Sequence, residues 1–209
     1  MSRRSANGLL LGLFCASCGL NSKAETLQAP FTVSDYFMPS GYFGDGALTG
    51  RTPKSVDVSY DQCAARPPNA QGSCYRFTYR PVPASEGGKS FGGVYWQSPA
   101  NNWGQDEPLA AVPNATRATF YAAGAVGGER VTFTAGGLSA TEPDGAPLPY
   151  VDTVKGTTGV VLTTVMTQYE VPLPAGASYD HVLGAFAWAI TAVGTDTRTF
   201  YLDDVQWVP

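Results

Sequence analysis

The chain has one histidine, His181, among its 209 residues. A Ser-His-Asp or Cys-His centre would have to be built on that side chain, and Asp180 beside it is a sequence neighbour, which says nothing of geometry. A zinc site made from several histidines is excluded. Ser90 stands in a G-x-S-x-G string (88–92), but that string leads into an alternating stretch rather than a helix, so it is not a nucleophile elbow, and no P-loop or G-x-G-x-x-G opens a helix. Charge is also scarce, at 14% of residues, with no Lys/Arg run beyond Arg3-Arg4 and a formal net charge of −4. Nucleic acid is therefore not an expected partner. The glutamates (25, 86, 107, 129, 142 and 170) are scattered. None pairs with another acid in the short alternating motif that β-sandwich glycosidases use to flank the scissile bond. A non-catalytic protein is the expectation, with a polysaccharide-active enzyme as the rival.

Four cysteines are present, and two of them fall in an N-terminal segment that reads as an export signal. Arg3 and Arg4 supply its positive region and Leu9 to Phe14 its apolar one, a run too short to span a bilayer. Ala16 and Ser17 before Cys18 resemble a bacterial lipobox, with Cys15 where leucine is usual. Residues 1–18 are thus expected to be the signal, Cys18 the lipidated residue and 19–28 a tether. The chain is expected to be an exported, cell-envelope lipoprotein or a freely secreted protein, monomeric, and to meet membrane only through that anchor. Cys63 and Cys74 remain in the body. In an oxidising compartment they are expected to pair, closing a short loop worth about 2–3 kcal/mol; two free thiols are the alternative.

What the chain has in quantity is glycine (24), proline (16) and aromatics (12%) over an apolar content of 44%, which is turn-rich without being low-complexity. No long helical period appears. Short alternating stretches appear instead at 31–37, 55–60, 74–80, 92–97, 115–124, 129–137, 158–164, 167–173, 182–191 and 199–207, with Gly, Pro, Asn and Asp between them. That pattern predicts an all-β, antiparallel two-sheet sandwich, a jelly roll, as a single domain over 29–209.

Side-chain alternation places Asp35 on the face of Phe31, Val33 and Phe37, and Asp203 on the face of Tyr201, Val205 and Trp207. A buried, unpaired carboxylate is costly. A shared Ca²⁺ would satisfy both acids, with Asp45 as a further ligand; the alternative is that each accepts backbone N–H bonds at a strand end.

The stretch "GGVYWQSPANNWG" (92–104) holds two of the four tryptophans. Burying Val94 and Trp96 turns Tyr95 and Gln97 to the other face. Sugar rings present apolar C–H faces that stack on aromatics, while their hydroxyls need amide and carboxylate partners. Tyr95, Gln97, Asn101, Asn102 and Trp103 supply that mixture, and Tyr150 and Asp152 of "PLPYVDT" are placed as a second wall. The alternative is an Asn-rich turn that folds Trp103 over the sandwich edge. Phe186 and Trp188 are expected in the core.

The closing "FYLDDVQW", with "PSGYFGD" (39–45), "GVYWQSPANNWG" (93–104), "GERVTFTAGG" (128–137) and "FAW" (186–188), resembles jelly-roll carbohydrate-binding modules with galactose-binding-like folds, from about residue 30 to the end. The resemblance implies a non-catalytic β-sandwich, an oligo- or polysaccharide partner and a structural Ca²⁺ for which Asp203 would be a ligand. A surface interaction protein whose aromatics are simply core is the other reading of the same residues.

Overall fold

The computed structural model describes residues 26–61, 63, 65–108, 114–139, 141, 145–175 and 180–209. The signal region and Cys18 lie outside the described residues. Among the described residues eleven strands form: β1 (Phe31–Thr32), β2 (Met38–Gly44), β3 (Val56–Tyr60), β4 (Tyr75–Tyr79), β5 (Phe91–Gln97) and β6 (Arg117–Gly124), then β7 (Arg130–Gly136), β8 (Lys155–Val161), β9 (Thr167–Pro172), β10 (Gly184–Thr191) and β11 (Arg198–Val208). They make two antiparallel sheets. One runs β3-β4-β11-β6-β9 with β1 on the flank of β11, and the other runs β2-β5-β10-β7-β8. The all-β sandwich is as the alternation predicts.

Inner faces meet through aromatic rings. Phe77 of β4 lies 5.5 Å from Trp96 of β5, 5.1 Å from Trp188 of β10 and 5.4 Å from Phe200 of β11, so one ring ties both sheets together. Phe120, Phe133 and Phe186 form a second knot at 4.3–5.9 Å. Trp96, Trp188 and Trp207 are wholly buried. The indole N–H of Trp96 donates to the Tyr75 hydroxyl (3.3 Å), and that of Trp207 to the Ala185 carbonyl (2.9 Å). Phe186 and Trp188 are core, as expected. Leu27, in the stretch expected to be tether, is buried in the same core.

Two local departures from simple alternation move the acids. The first strand stops at Thr32. Residues 33–35 then turn in a 3-10 helix, with the N–H groups of Tyr36 and Phe37 both donating to the Val33 carbonyl. Val33 stays buried, but Asp35 is exposed rather than inward. In β11 the pairing with β6 jumps from Asp203↔Tyr121 to Gln206↔Thr119. One extra residue is inserted there, and Asp204 takes a left-handed φ of 51°. The bulge flips the parity. Phe200 and Leu202 point inward before it, Val205 and Trp207 after it, and Asp203 faces the outside of the sheet.

Asp203 is nevertheless fully buried, beneath the segment that carries Arg66. Arg66 grips it with two bonds, Nε to Oδ2 at 2.7 Å and Nη2 to Oδ1 at 2.6 Å, and the Asp204 N–H adds a third at 2.8 Å. The covering loop is closed by the expected Cys63–Cys74 disulfide. Truncating Trp96 to alanine should cost about 3–5 kcal/mol, because the cavity would open where both sheets share one ring cluster. Chemical denaturation of that variant checks it.

Candidate functional site

The pleat of β5 sends Val94 and Trp96 into the core and leaves Tyr95 partly exposed on the outside of its sheet. Across the strands, Tyr95 stands level with Gly41 on β2 and Ala187 on β10, and Ala187 with Thr134 on β7. The next rung of that face runs Phe43, Gly93, Ala189, Thr132 and Gly159. Small residues therefore make a low floor, with aromatic rings standing to one side of it.

Those rings form a continuous row. Phe91 lies 6.2 Å from Phe43, Phe43 lies 5.4 Å from Tyr95, and Tyr95 lies 6.3 Å from Trp103, edge-on. Phe43 covers Gly93, where any Cβ would collide with that ring and with the Trp188 carbonyl. Phe91 is exposed, and Phe43, Tyr95 and Trp103 are half-buried. At the far end of the floor a depression of ≈ 390 Å³ opens over Thr132, Gly159, Ala189 and Thr191. Phe43 and Phe91 are members the sequence reading missed. The signal was the glycine pair in "FGGVYW", since glycine inside a strand marks a close approach of another group.

The structure assigns other roles to two expected ligand residues. Gln97 keeps the face of Tyr95 but is wholly buried there, packed against Gly41, with its Oε1 accepting from the Ser40 hydroxyl at 3.3 Å. The pairing of β10 with β5 shifts register here, between Gly184 and Phe186. Asn102 is buried too, and its amide is the staple of the 98–106 loop. Its Nδ2 donates to the Asp106 carbonyl (2.9 Å), and its Oδ1 accepts from the N–H groups of Gly104 (3.0 Å) and Asp106 (3.1 Å). Asn102 thus holds Trp103 in place instead of facing a ligand. Asn101 is exposed on that loop, and its N–H donates to Ser40 Oγ at 2.9 Å.

Tyr150 and Asp152 are brought to the same end of the sheet. The Tyr150 N–H donates to the Gly104 carbonyl at 3.1 Å, docking the two loops, and its ring meets His181 edge-on at 6.1 Å. Asp152 clamps three segments. Its carboxylate accepts from the N–H groups of Leu138 (2.6 Å), Leu183 and Gly184 (3.3 Å). Burial pushes the Tyr95 phenol up to about 12, with the nearby Asp152 charge adding to the effect.

Asp35, Asp45 and Asp203 are not gathered into one ligand set. Asp45 is buried at the end of β2, where its oxygens accept from the Tyr79 hydroxyl (2.8 Å) and the N–H groups of Val82 (3.0 Å) and Lys89 (2.6 Å). Asp203 has Arg66, and Asp35 is solvated. Each buried carboxylate therefore has protein donors of its own, and the three do not fit a shared Ca²⁺. The sulfurs of Cys63 and Cys74 lie near Asp203, but both are spent on their disulfide.

Burial raises the Asp152 carboxyl to about 7, against the pull of its three N–H donors. A folded-state value above the unfolded one favours the folded protein while the group is protonated, and that advantage is lost as pH climbs from about 4 to about 7. The melting temperature of wild type minus that of Asp152→Asn should therefore fall through this window and level off above it. A difference that rises with pH would show the three donors outweighing burial.

No protein-family model matches the chain, and no curated relative does. Among solved structures, the chain is similar to the family 11 carbohydrate-binding module of a cellulosomal cellulase of Clostridium thermocellum, at 11% identity over 88% of this chain and 96% of that one, with TM-score 0.45. It is also similar to a family 30 carbohydrate-binding module, at 13% identity over 81% of this chain and 82% of that one, with TM-score 0.48. A family 30 module from another C. thermocellum cellulosomal cellulase shares 14% identity over 86% of this chain and 92% of that one, with TM-score 0.43.

Proposed function

We propose that the chain is a non-catalytic module that binds an oligo- or polysaccharide along the outer face of the β2-β5-β10-β7-β8 sheet. The observation that carries this reading is the row Phe91–Phe43–Tyr95–Trp103, four rings in sequence at 5.4–6.3 Å beside a floor of glycine, alanine and threonine. Successive rings suit a ligand made of successive apolar-faced sugar units. The threonines and Asn101 beside them offer hydroxyl and amide partners for the sugar edges. Asp152, the carboxylate closest in character to a catalytic acid here, spends its oxygens on backbone N–H groups, which favours binding over chemistry.

The residues before Leu27 direct this module outward in the same proposal, through Arg3, Arg4, the apolar stretch and a lipidated Cys18. The Cys63–Cys74 disulfide supports an oxidising destination.

A glycan array followed by titration with a positive oligosaccharide tests the site. Tyr95→Ala and Trp103→Ala should each weaken binding about tenfold, as loss of one aromatic contact of roughly 1–1.5 kcal/mol predicts, with the melting temperature little changed. Asn102→Ala should also weaken binding, through loosening of the loop that carries Trp103. Affinity untouched by Tyr95→Ala, Phe43→Ala and Trp103→Ala would place the binding surface elsewhere. For the anchor, labelled fatty acid should enter wild type and not Cys18→Ser; an unlabelled, soluble wild type would mean plain secretion.

A further inference from the structure

The opposite face of the sandwich carries a second depression, and its lining has a different chemistry. It lies on the outside of the sheet containing β6 and β11, with Tyr121, Ala123 and Tyr201 as its floor. One wall is Cys63 with residues 65–68, Pro67 and Pro68 among them, and the other is the β8–β9 turn with Thr164, Val165 and Met166. The space is ≈ 490 Å³, within the usual range of small-molecule sites. The proline wall is fixed by two constraints already described, the Cys63–Cys74 disulfide and the double bond from Arg66 to Asp203.

The lining selects among ligand classes. Its polar groups are the hydroxyls of Tyr121, Tyr201 and Thr164 and the Arg66 guanidinium; among the described residues it holds no carboxylate and no amide. A polyhydroxylated ring would leave most of its hydroxyls unmatched, unlike on the aromatic row across the molecule. Charge selects as well. Arg66 is engaged by Asp203 and also lies in the field of Asp61 and Asp204, so an anion meets net negative charge. A cation finds no carboxylate on the lining to pair with. What remains is a neutral, flat, largely apolar ring with one or two hydroxyls, able to lie between prolines and tyrosines.

We propose that this cleft is a second binding site, for a neutral phenolic ring, independent of the sugar-binding reading and shaped by the disulfide-held loop. The probe is 4-hydroxybenzyl alcohol, titrated into the folded chain by ligand-observed NMR and calorimetry. Saturable one-to-one binding is expected, about tenfold weaker in Tyr201→Ala, where one stacking partner is lost, and weaker again after reduction of the disulfide. Met166→Glu, on the exposed turn, should abolish binding by placing a carboxylate in the cleft without disturbing the core. Tyr95→Ala, on the other face, should leave phenol binding unchanged. Absence of saturable binding to the native chain overturns the proposal. So does binding unaffected by both Tyr201→Ala and Met166→Glu, and so does displacement of the probe by glucose. Loss of glycan binding alone, with phenol binding intact, would count against the sugar-binding row and leave this site standing.

Discussion

The pleat of β5 is the constraint on which the rest depends. Trp96 and Tyr95 are neighbours in the chain, and alternation sends one into the densest part of the core and the other to the outer surface. Trp96 cannot shift without losing Tyr75, Phe77 and Phe186 at once. Register with β2 and β10 is thereby fixed, and a one-residue slip would exchange the two faces. The outer rings inherit that rigidity. Phe43 lies against a glycine backbone that tolerates no side chain, so its place is set by the pairing of β2 with β5. A binding surface assembled this way loses little conformational freedom when it meets a ligand, and that loss is one of the main costs of association.

Charge is used in an unusual way for a chain with so little of it. Three aspartates with buried or largely enclosed carboxylates each hold an irregular segment to the sandwich. Asp45 fixes the stretch around Val82 and Lys89, Asp152 fixes the loops beside Leu138 and Leu183, and Asp203 fixes the disulfide loop through Arg66. Each acid replaces lost water with donors that come from distant parts of the sequence, as burial of a charged group demands. The loop ends that frame the aromatic row and the walls that frame the opposite cleft are therefore positioned by carboxylates that spend their oxygens on protein donors.

The strands were legible because alternation and turn residues are local. Each of the ten expected stretches contains or overlaps a strand, and only β2, with one proline and two glycines interrupting its apolar residues, has no counterpart among them. The aspartates were less legible. Both inward assignments assumed unbroken alternation, and in both cases the backbone departs from it, at the 3-10 turn after Thr32 and at the left-handed Asp204. Nothing in "FTVSDYF" or "YLDDVQW" distinguishes a strand that continues from one that turns or bulges. The burial of Asp203 is also non-local, since it depends on Arg66 arriving from more than a hundred residues away. The aromatic row was half legible for the same reason. Tyr95 and Trp103 share one stretch, while Phe43 joins them only through the pairing of β2 with β5.

Gln97 and Asn102 show why residue type alone misplaced part of the site. Both are amides beside exposed aromatics, which is the composition a sugar surface needs. Yet an amide on a short, buried side chain is also the natural partner for loop backbone, because it offers donors and an acceptor at once. Asn102 is consumed in that way, donating to the Ser98 and Asp106 carbonyls at the two ends of the loop it sits in. What separates the two roles is the demand of neighbouring backbone. The 98–106 loop must reverse direction at the end of a core strand with its N–H and C=O groups covered, and the nearest amide satisfies them before any ligand can. The aromatics carry no such obligation. Their hydrophobic edges are covered by one another and by the glycines beneath, and the faces left over are what the row presents to solvent.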